Sequence, residues 1–195
     1  MNCEPILNDQ GSVVYCKSFF NPSQSTDFFK KILKETPWRQ DKIKLFGKHI
    51  PIPRQQAWYG DPGATYRYSN LELTPIAWTP TLLKIKKNIE EYSKTTFNSC
   101  LVNLYRDGSD YAAWHSDDEK ELGTNPSIAS VSLGGTRRFH LKHKTIEKRI
   151  RFDLEDGSLL LMTGELQHYW SHQLSKTKKT VAPRINLTFR KVEIK

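Results

Sequence analysis

The sequence predicts a mainly β fold of the α+β class, a sandwich or jelly roll braced on one side by two helices. Apolar residues recur with a helical period in the first half of the chain and alternate with a period of two from about residue 97. Turn signals such as Asp107-Gly108 and Asp156-Gly157 separate the alternating segments. Because 195 residues suit one domain of ordinary size, we expect a single domain over residues 1–195.

Each predicted helix has an apolar face and a capping residue. In STDFFKKILKE, apolar side chains share one face behind a cap at Ser25 or Thr26. In TPTLLKIKKNIEEYS, Thr79 is the expected cap and Pro80 occupies the first turn, with lysines outside the apolar stripe. Both helices are expected to pack on a larger element.

Six segments have the alternation of a β-strand and should form the core of the fold, at about residues 97–192. They are residues 97–108, 127–135, 137–144, 149–154, 157–164 and 183–192. Between the helices, residues 42–60 and 64–73 have the pattern of hairpins rich in aromatic and cationic side chains. Six short strands behind a pair of helices suit a two-layer β fold.

The charge balance favours a polyanionic partner. Thirty Lys and Arg residues against twenty-one Asp and Glu residues give a net charge of +9 and a pI near 9.4. Such a surface attracts polyanions, which makes nucleic acid the leading candidate. A basic protein without such a partner is the alternative.

The three cysteines, Cys3, Cys16 and Cys100, are odd in number and lack metal-binding or redox spacing. This usage favours a reducing compartment, and we expect neither zinc nor disulfide bonds to hold the fold. The N-terminus has no basic leader followed by an apolar run, and no apolar stretch approaches membrane-spanning length. We therefore expect a soluble intracellular protein without a membrane partner.

A candidate metal site begins at His115 and Asp117. In an extended segment these two side chains project to the same face and can occupy adjacent positions on one metal ion. A third ligand would come from one of four downstream histidines: His140, His143, His168 and His172. The first two lie in a lysine-rich strand and are expected to face solvent or a polyanion, and His172 ranks only slightly above His168. A solvated turn with a chance histidine is the alternative.

The segment PRINLTFRKV carries the second half of the site. As a strand, it places Arg184, Asn186, Thr188 and Arg190 on one face, opposite the apolar residues between them. Two arginines on an inward face are costly to bury without an anion, and a dicarboxylate would satisfy both guanidinium groups. The same argument places Asn103 and Tyr105 on one face of VNLYR. An edge strand with its polar face in water is the alternative.

Two histidines and one carboxylate form the facial triad of non-haem Fe(II) oxygenases, with zinc as the competing metal. A neighbouring dicarboxylate pocket favours iron. His115-x-Asp117, His172 and Arg184-x5-Arg190 resemble the AlkB family of Fe(II)/2-oxoglutarate dioxygenases, which repair alkylated nucleic-acid bases. The resemblance runs from about residue 53 to residue 192, through PRQQAWYGD, TYRYSNL, NLYRDG, HSDDE, IASVSLG, GSLLLM and PRINLTFRK, and is closest to the DNA-repair branch.

The resemblance implies a double-stranded β-helix, or jelly roll, with nucleotide-recognition hairpins at about residues 40–75. It implies metal ligands at His115, Asp117 and His172, and thereby selects the third ligand. The implied 2-oxoglutarate contacts are Asn103, Tyr105, Arg184, Thr188 and Arg190. The implied reaction is oxidative demethylation of bases such as N1-methyladenine and N3-methylcytosine, consuming O2 and 2-oxoglutarate and releasing formaldehyde, succinate and CO2.

The resemblance also implies contacts with a base flipped out of the duplex, because the methyl group lies on the pairing edge. Tyr68 matches the stacking position, Tyr66 is placed for a polar contact, and Asp118 and Glu119 would accept a cationic ring. The alternative for these two carboxylates is an ordinary pair at a helix start or a turn.

In KLFGK, Phe46 before Gly47 at a hairpin tip resembles the aromatic wedge that duplex-acting family members insert into the stack. The resemblance implies substrate contacts at Phe46, Gly47 and Lys48. Packing of Phe46 beneath that hairpin is the alternative. Lys178 and Lys179 are expected to hold phosphates, although lysine runs are commonly just solvated surface.

The expected partner is therefore alkylated DNA, single- or double-stranded, and a monomer is expected. An RNA demethylase of the same family and an inactive jelly-roll nucleic-acid binder are the two rival interpretations. The expected location is the nucleus in a eukaryote and the cytoplasm in a bacterium.

Overall fold

The structure is a computed structural model that describes residues 3–45, 47–68 and 71–194. Its helices are α1 (Pro22–Glu35), α2 (Pro80–Ser93) and the single turn α3 (Leu166–Tyr169), with a 3-10 turn at Lys120–Leu122. The strands are β1 (Cys3–Asn8), β2 (Ser12–Cys16), β3 (Lys42–Leu45), β4 (Lys48–Pro51), β5 (Gln55–Gly60), β6 (Tyr66–Tyr68), β7 (Leu71–Leu73), β8 (Ser99–Tyr105), β9 (Ala112–His115), β10 (Ile128–Gly134), β11 (Arg137–His143), β12 (Arg149–Leu154), β13 (Ser158–Thr163), β14 (Trp170–Leu174) and β15 (Arg184–Arg190).

Two antiparallel sheets form the body of the molecule. The large sheet has the strand order β1-β2-β13-β10-β15-β8-β5, and the small sheet has the order β12-β11-β14-β9. The pairs β3-β4 and β6-β7 are separate two-stranded hairpins. This architecture confirms the predicted mainly β fold with flanking helices.

Strand β15 separates the apolar core from the polar interior. Its odd-numbered residues pack with Phe28 and Ile32 of α1 and with the apolar face of α2. Its even-numbered residues, Arg184 among them, line a cavity between the two sheets instead. This is the division of faces that the sequence predicts, and it follows from the two-residue period of an extended chain.

One helix begins where the sequence predicts and the other does not. Thr79 caps α2, and its hydroxyl accepts a hydrogen bond from the backbone N–H of Leu82. The predicted cap of α1 at Ser25 or Thr26 is wrong, because α1 begins four residues earlier behind a capping box of Asn21 and Gln24. Ser25 is buried inside the helix, where its hydroxyl bonds the Asp156 carboxylate.

The six predicted strands all form, but both sheets contain more strands than the sequence predicts. Residues 55–60, which we expect to be hairpin material, are instead the edge strand β5 of the large sheet. Strands β1, β2, β9 and β14 have no counterpart among the predicted strands. Each is only four to six residues long, and CEPILN, SVVYC and AAWH do not alternate apolar with polar residues.

The prediction that no disulfide bond holds the fold is wrong. Cys3 and Cys16 face each other across the β1-β2 hairpin and are joined through their sulfur atoms. The odd cysteine count concealed the pair, since spacing alone cannot show which two cysteines meet. Cys100 is the remaining free cysteine among the described residues, and it is buried.

Candidate active site

Two neighbouring strands of the small sheet bring the two histidines of the candidate metal site together. In the register of β9 and β14, His115 pairs directly with His172, and their ring centres lie 4.3 Å apart. The two residues are 57 positions apart in the chain (172 minus 115), so only this strand pairing makes them neighbours. Asp117 lies two residues beyond the end of β9 and turns its carboxylate to the same point.

The three side chains form a compact cluster with suitable ligand atoms. His115 Nε2 lies 3.8 Å from Asp117 Oδ1, and His172 Nε2 lies 3.9 Å from Asp117 Oδ2. One ligand atom from each residue lies within 4.8 Å of the other two, and no second cluster of this kind occurs in the described ranges. Two imidazoles and one carboxylate leave coordination positions open, which is the arrangement of non-haem Fe(II) oxygenases.

The orientation of His115 leaves its Nε2 atom free to bind a metal ion. Its Nδ1 atom lies 2.7 Å from the backbone carbonyl oxygen of Ala113. Since a carbonyl oxygen can only accept, Nδ1 carries the proton and Nε2 presents its lone pair to the cluster.

The segment that carries Asp117 is tied to the turn before β14. The Gln167 side-chain oxygen accepts a hydrogen bond of 2.9 Å from the backbone N–H of Asp117. The Ser116 hydroxyl donates to the Trp170 carbonyl oxygen at 2.9 Å. Sequence reasoning missed Gln167, a buried polar residue in an aromatic stretch, LQHYW, that has no periodic signal.

Electrostatics keep the ligand set in its metal-binding protonation state. Burial alone would raise the pKa of Asp117, but the Arg190 guanidinium, 3.0 Å from its carboxylate, and the two imidazoles lower it to about 2. Burial, followed by the neighbouring His115, lowers the pKa of His172 to about 3. Asp117 is therefore ionised and His172 neutral at pH 7, as metal ligation requires.

A cavity of about 60 Å³ lies between the sheets beside this cluster. All five predicted 2-oxoglutarate contacts line it: Asn103, Tyr105, Arg184, Thr188 and Arg190. The rest of the lining includes apolar side chains such as Leu101, Phe139 and Met162, so the polar groups are set in an apolar wall.

Arg184 places a buried positive charge in the wall of this cavity, which favours binding of an anion. The side chain is 1% exposed, its guanidinium lies 5.3 Å from the Tyr105 ring centre, and its Nη2 donates to the Ser132 hydroxyl at 2.9 Å. Its buried Nε atom has no hydrogen-bond acceptor, and no carboxylate lies within ion-pair distance among the described residues. Burial lowers its pKa to about 10, so the group still carries its charge at pH 7. A carboxylate of 2-oxoglutarate would neutralise it.

Arg54 is a further residue of the cavity wall. It is buried, and its Nε atom donates to the Asn103 side-chain oxygen at 2.9 Å. This bond orients the Asn103 amide with its oxygen atom toward Arg54. The sequence places Arg54 near a hairpin and gives no indication of this contact.

The other three candidate histidines lie outside the cluster. His168 is exposed and bonds the Asn125 side chain. His140 is half-buried beside Trp114 and Ser175. The expectation that His143 faces solvent is wrong, because it is buried, with Nε2 2.5 Å from the Gln10 side-chain oxygen.

The predicted base-recognition residues stay predictions. Phe46 lies outside the described residues, and Gly47 occupies the β3-β4 turn with a φ of 75°. Lys48, Tyr66 and Tyr68 have a described backbone, in β4 and β6, but no described side chain.

The other predicted substrate-contact residues lie in loops beside the candidate metal site. Asp118 is exposed, with its carboxylate 3.9 Å from the Lys144 amino group, and Glu119 precedes the 3-10 turn. Lys178 and Lys179 are exposed in the loop after β14, anchored where the Thr177 N–H donates to the Gly108 carbonyl oxygen.

Comparison with known proteins agrees with this site. The family model of the 2OG-Fe(II) oxygenase superfamily matches residues 12–190. DNA oxidative demethylase ALKBH2 of Mus musculus is 40% identical over 185 residues, covering 89% of this chain and 77% of that protein. The Homo sapiens ALKBH2 is 39% identical, covering 89% and 70%. Alpha-ketoglutarate-dependent dioxygenase alkB homolog 3 of Bos taurus is 39% identical, covering 92% and 66%.

Solved structures support the fold. The structure of OsALKBH1 superposes with a TM-score of 0.67 at 20% identity, covering 96% of this chain and 100% of that chain. A prolyl hydroxylase from Trichoplax adhaerens, in complex with a hypoxia inducible factor peptide, gives a TM-score of 0.63 at 13% identity, covering 93% and 83%. The predicted jelly roll is confirmed.

The fold and the site define an Fe(II)- and 2-oxoglutarate-dependent dioxygenase, as the sequence predicts. Within the 2OG-Fe(II) oxygenase superfamily, the chain belongs to the AlkB family. No helix in the described ranges is both long and apolar enough to cross a membrane. The monomeric state and the cellular location stay predictions.

Proposed function

We propose that this enzyme removes alkyl groups from N-alkylated bases of DNA, such as N1-methyladenine and N3-methylcytosine, by oxidative demethylation. The observation that carries the proposal is the His-Asp-His cluster, half-buried at His115 and buried at Asp117 and His172, in a chain about 40% identical to DNA oxidative demethylases. Beside it lies buried Arg184, which has no carboxylate partner among the described residues. The net charge of +9 supports a polyanionic substrate.

In this proposal His115, Asp117 and His172 hold Fe(II), and Arg184 binds a carboxylate of 2-oxoglutarate. When bound, iron with O2 and 2-oxoglutarate supplies the oxidant for an unactivated C–H bond. The polar residues of the cavity hold the diacid in one orientation, and the surrounding apolar side chains keep bulk water out. Arg190 offsets the charge of Asp117, which would otherwise be costly to bury.

Base recognition would fall to the hairpins at residues 40–75 and to the segment after β9. Asp118 and Glu119 follow the ligand Asp117 directly, so their carboxylates would favour the positive charge of a ring methylated at N1 of adenine or N3 of cytosine. Tyr66 and Tyr68 would contact the flipped base, and Phe46 would occupy its former place in the stack, with Gly47 and Lys48 beside it as further substrate contacts. Lys178 and Lys179 would bind phosphates from their exposed loop.

The test is succinate and formaldehyde formation by protein reconstituted with Fe(II) and 2-oxoglutarate, given methylated DNA and RNA oligonucleotides in competition. We expect turnover that depends on iron and on the methyl group, with DNA preferred. Preference for RNA would replace the proposed substrate, and oligonucleotide binding without succinate would identify an inactive binder. His172→Ala should abolish turnover, whereas His168→Ala, a change at an exposed histidine outside the cluster, should retain it.

A further inference from the structure

The disulfide of the N-terminal hairpin joins an accessible cysteine to an inaccessible one. Cys16 is fully buried in β2, and its sulfur lies 3.4 Å from the Tyr92 hydroxyl of α2. Cys3 is half-buried on β1, the edge strand of the large sheet. The two are direct partners in the strand register, with Cα atoms 4.0 Å apart, so they stay adjacent when the bond is reduced. A soluble oxidant or reductant would therefore act first at Cys3.

The tip of the same hairpin, residues 9–11, contacts residues 143–148 and 166–172, which we call the metal-site corner. The Asp9 carboxylate lies 3.0 Å from the Lys148 amino group, and its backbone carbonyl accepts a hydrogen bond from the Trp170 indole at 3.3 Å. Gln10 contacts buried His143, as described above. Gly11, with a φ of 114°, lies so close to Leu166 that a Cβ atom would come within 2.4 Å of the Leu166 backbone nitrogen.

The residues that the hairpin tip contacts lie next to residues that carry or hold the candidate metal ligands. Trp170 begins β14, the strand that carries His172, and its carbonyl oxygen holds Ser116 beside Asp117. Leu166 precedes Gln167, which holds the Asp117 backbone. Hairpin β1-β2 therefore braces both segments that supply the metal site, and its rigidity depends on how firmly β1 is held to β2.

The superfamily of this chain uses Fe(II). Fe(II) is slowly oxidised to Fe(III) in air unless a reductant is present, so such an enzyme works best under reducing conditions. Under such conditions a protein disulfide is transient and responds to oxidants. We propose that Cys3 and Cys16 form a reversible thiol–disulfide switch, which closes under oxidising conditions and stiffens the hairpin that braces the metal site.

The chemistry needs only a peroxide and, for the reverse step, a dithiol. The Cys3 thiolate attacks one oxygen of hydrogen peroxide and the O–O bond breaks. Hydroxide departs as the leaving group, and Cys3 becomes a sulfenic acid. The Cys16 sulfur then attacks the Cys3 sulfur, the S–O bond breaks, and a second hydroxide leaves. Two protons from the thiols convert the hydroxides to water, so two thiols and one peroxide give one disulfide and two waters. A dithiol reductant reverses the bond by exchange.

The test compares metal-free protein after dithiothreitol and after hydrogen peroxide. We expect peptide mapping to find Cys3 linked to Cys16 only in the oxidised sample, and the Tm of that sample to be about 5 °C higher. Cys3→Ser should abolish the difference, whereas Cys100→Ala, a change at the cysteine outside the hairpin, should retain it. Unlinked cysteines after peroxide, equal Tm values, or a bond that dithiothreitol cannot reduce in the folded protein would overturn the switch.

Hydrogen exchange tests the link to the metal-site corner. We expect oxidation to slow exchange several-fold within residues 3–16 and also within residues 143–148 and 166–172. Slowing confined to residues 3–16 would refute the bracing role. Because both measurements use metal-free protein without DNA, their failure would leave the proposed demethylase activity untouched.

Discussion

Gln167 illustrates how a residue outside the candidate ligand set can position one of its members. It is buried, and its side-chain oxygen holds the backbone N–H of Asp117. Asp117 follows the end of a strand, so its backbone lacks the ladder hydrogen bonds that hold His115 and His172. Its position therefore depends on tethers from neighbouring segments, as is usual for residues that support metal ligands.

We expect Gln167→Leu to lower metal affinity by about 10- to 100-fold, because the tether on Asp117 is lost. Titration with Mn(II) or Co(II), followed by fluorescence or absorption, measures the effect. The control is Gln173→Leu, since Gln173 lies on β14 at a half-buried position outside the cavity lining. Equal affinities for the two variants would show that Gln167 has no role at the metal site.

Arg184 places a positive charge in the cavity that the described carboxylates do not neutralise. We expect 2-oxoglutarate at a hundred times its dissociation constant to stabilise the metal-loaded protein by about 2.7 kcal/mol, or about 5–10 °C in Tm. Arg184→Met should remove this increment while the increment from metal alone persists. A thermal shift assay with metal, with and without 2-oxoglutarate, separates the two. An unchanged 2-oxoglutarate increment would contradict the assignment of Arg184.

The short strands β9 and β14 are the elements on which the site depends. Their pairing sets His115 opposite His172, and a shift of one residue in register would turn one of the histidines to the opposite face of the sheet. The register is held from the other side by β11, which pairs Leu141 with His172. Strand β14, which carries His172, is therefore an inner strand of the small sheet, with β11 on one edge and β9 on the other.

Helix α1 covers the outer face of the large sheet and owes its first turn to Asn21. We expect Asn21→Ala to lower the free energy of unfolding by about 1 kcal/mol, because the capping box is lost. The corresponding fall in Tm is about 2–4 °C. Ser23→Ala, at an exposed position two residues after the cap, should be neutral or slightly stabilising. A fall of equal size in both variants would argue against the cap.

For the whole molecule, the packing of two sheets around charged residues ties stability to pH. His172 has an unfolded pKa of about 6.5 and a folded pKa lowered by burial to about 3. The unfolded chain therefore binds one more proton than the folded chain between these pH values, and stability falls as the pH falls. Asp117, with a folded pKa of about 2, adds stability above its unfolded pKa of about 3.9 that is lost below it.

We expect the metal-free protein to lose up to about 1.4 kcal/mol of unfolding free energy per pH unit through His172 below pH 6. Urea unfolding in a chelator at pH 7, 6 and 5 measures the slope. His172→Gln should flatten it by the contribution of one proton, while His168→Gln, at an exposed site, should not. An unchanged slope in His172→Gln would show that His172 does not titrate as its burial requires.

The sequence by itself determined the mainly β class, the six long strands and the two faces of β15, because these depend on local periodicity. It also determined which side chains can bind a metal ion, histidine and aspartate, and that Arg184 and Arg190 can bind an anion, because these abilities depend only on residue type. The resemblance to a family was needed to choose His172 over His168, because periodicity gives no register between β9 and β14.

The tertiary structure alone decided which residues meet. The pairing of Cys3 with Cys16, the contact of Gln167 with Asp117 and that of Arg54 with Asn103 join residues 13, 50 and 49 positions apart. The start of α1 was decided by Asn21 and by the burial of Ser25, which the apolar pattern does not record. Long-range contacts depend on how the two sheets pack, and no short window of sequence contains that information.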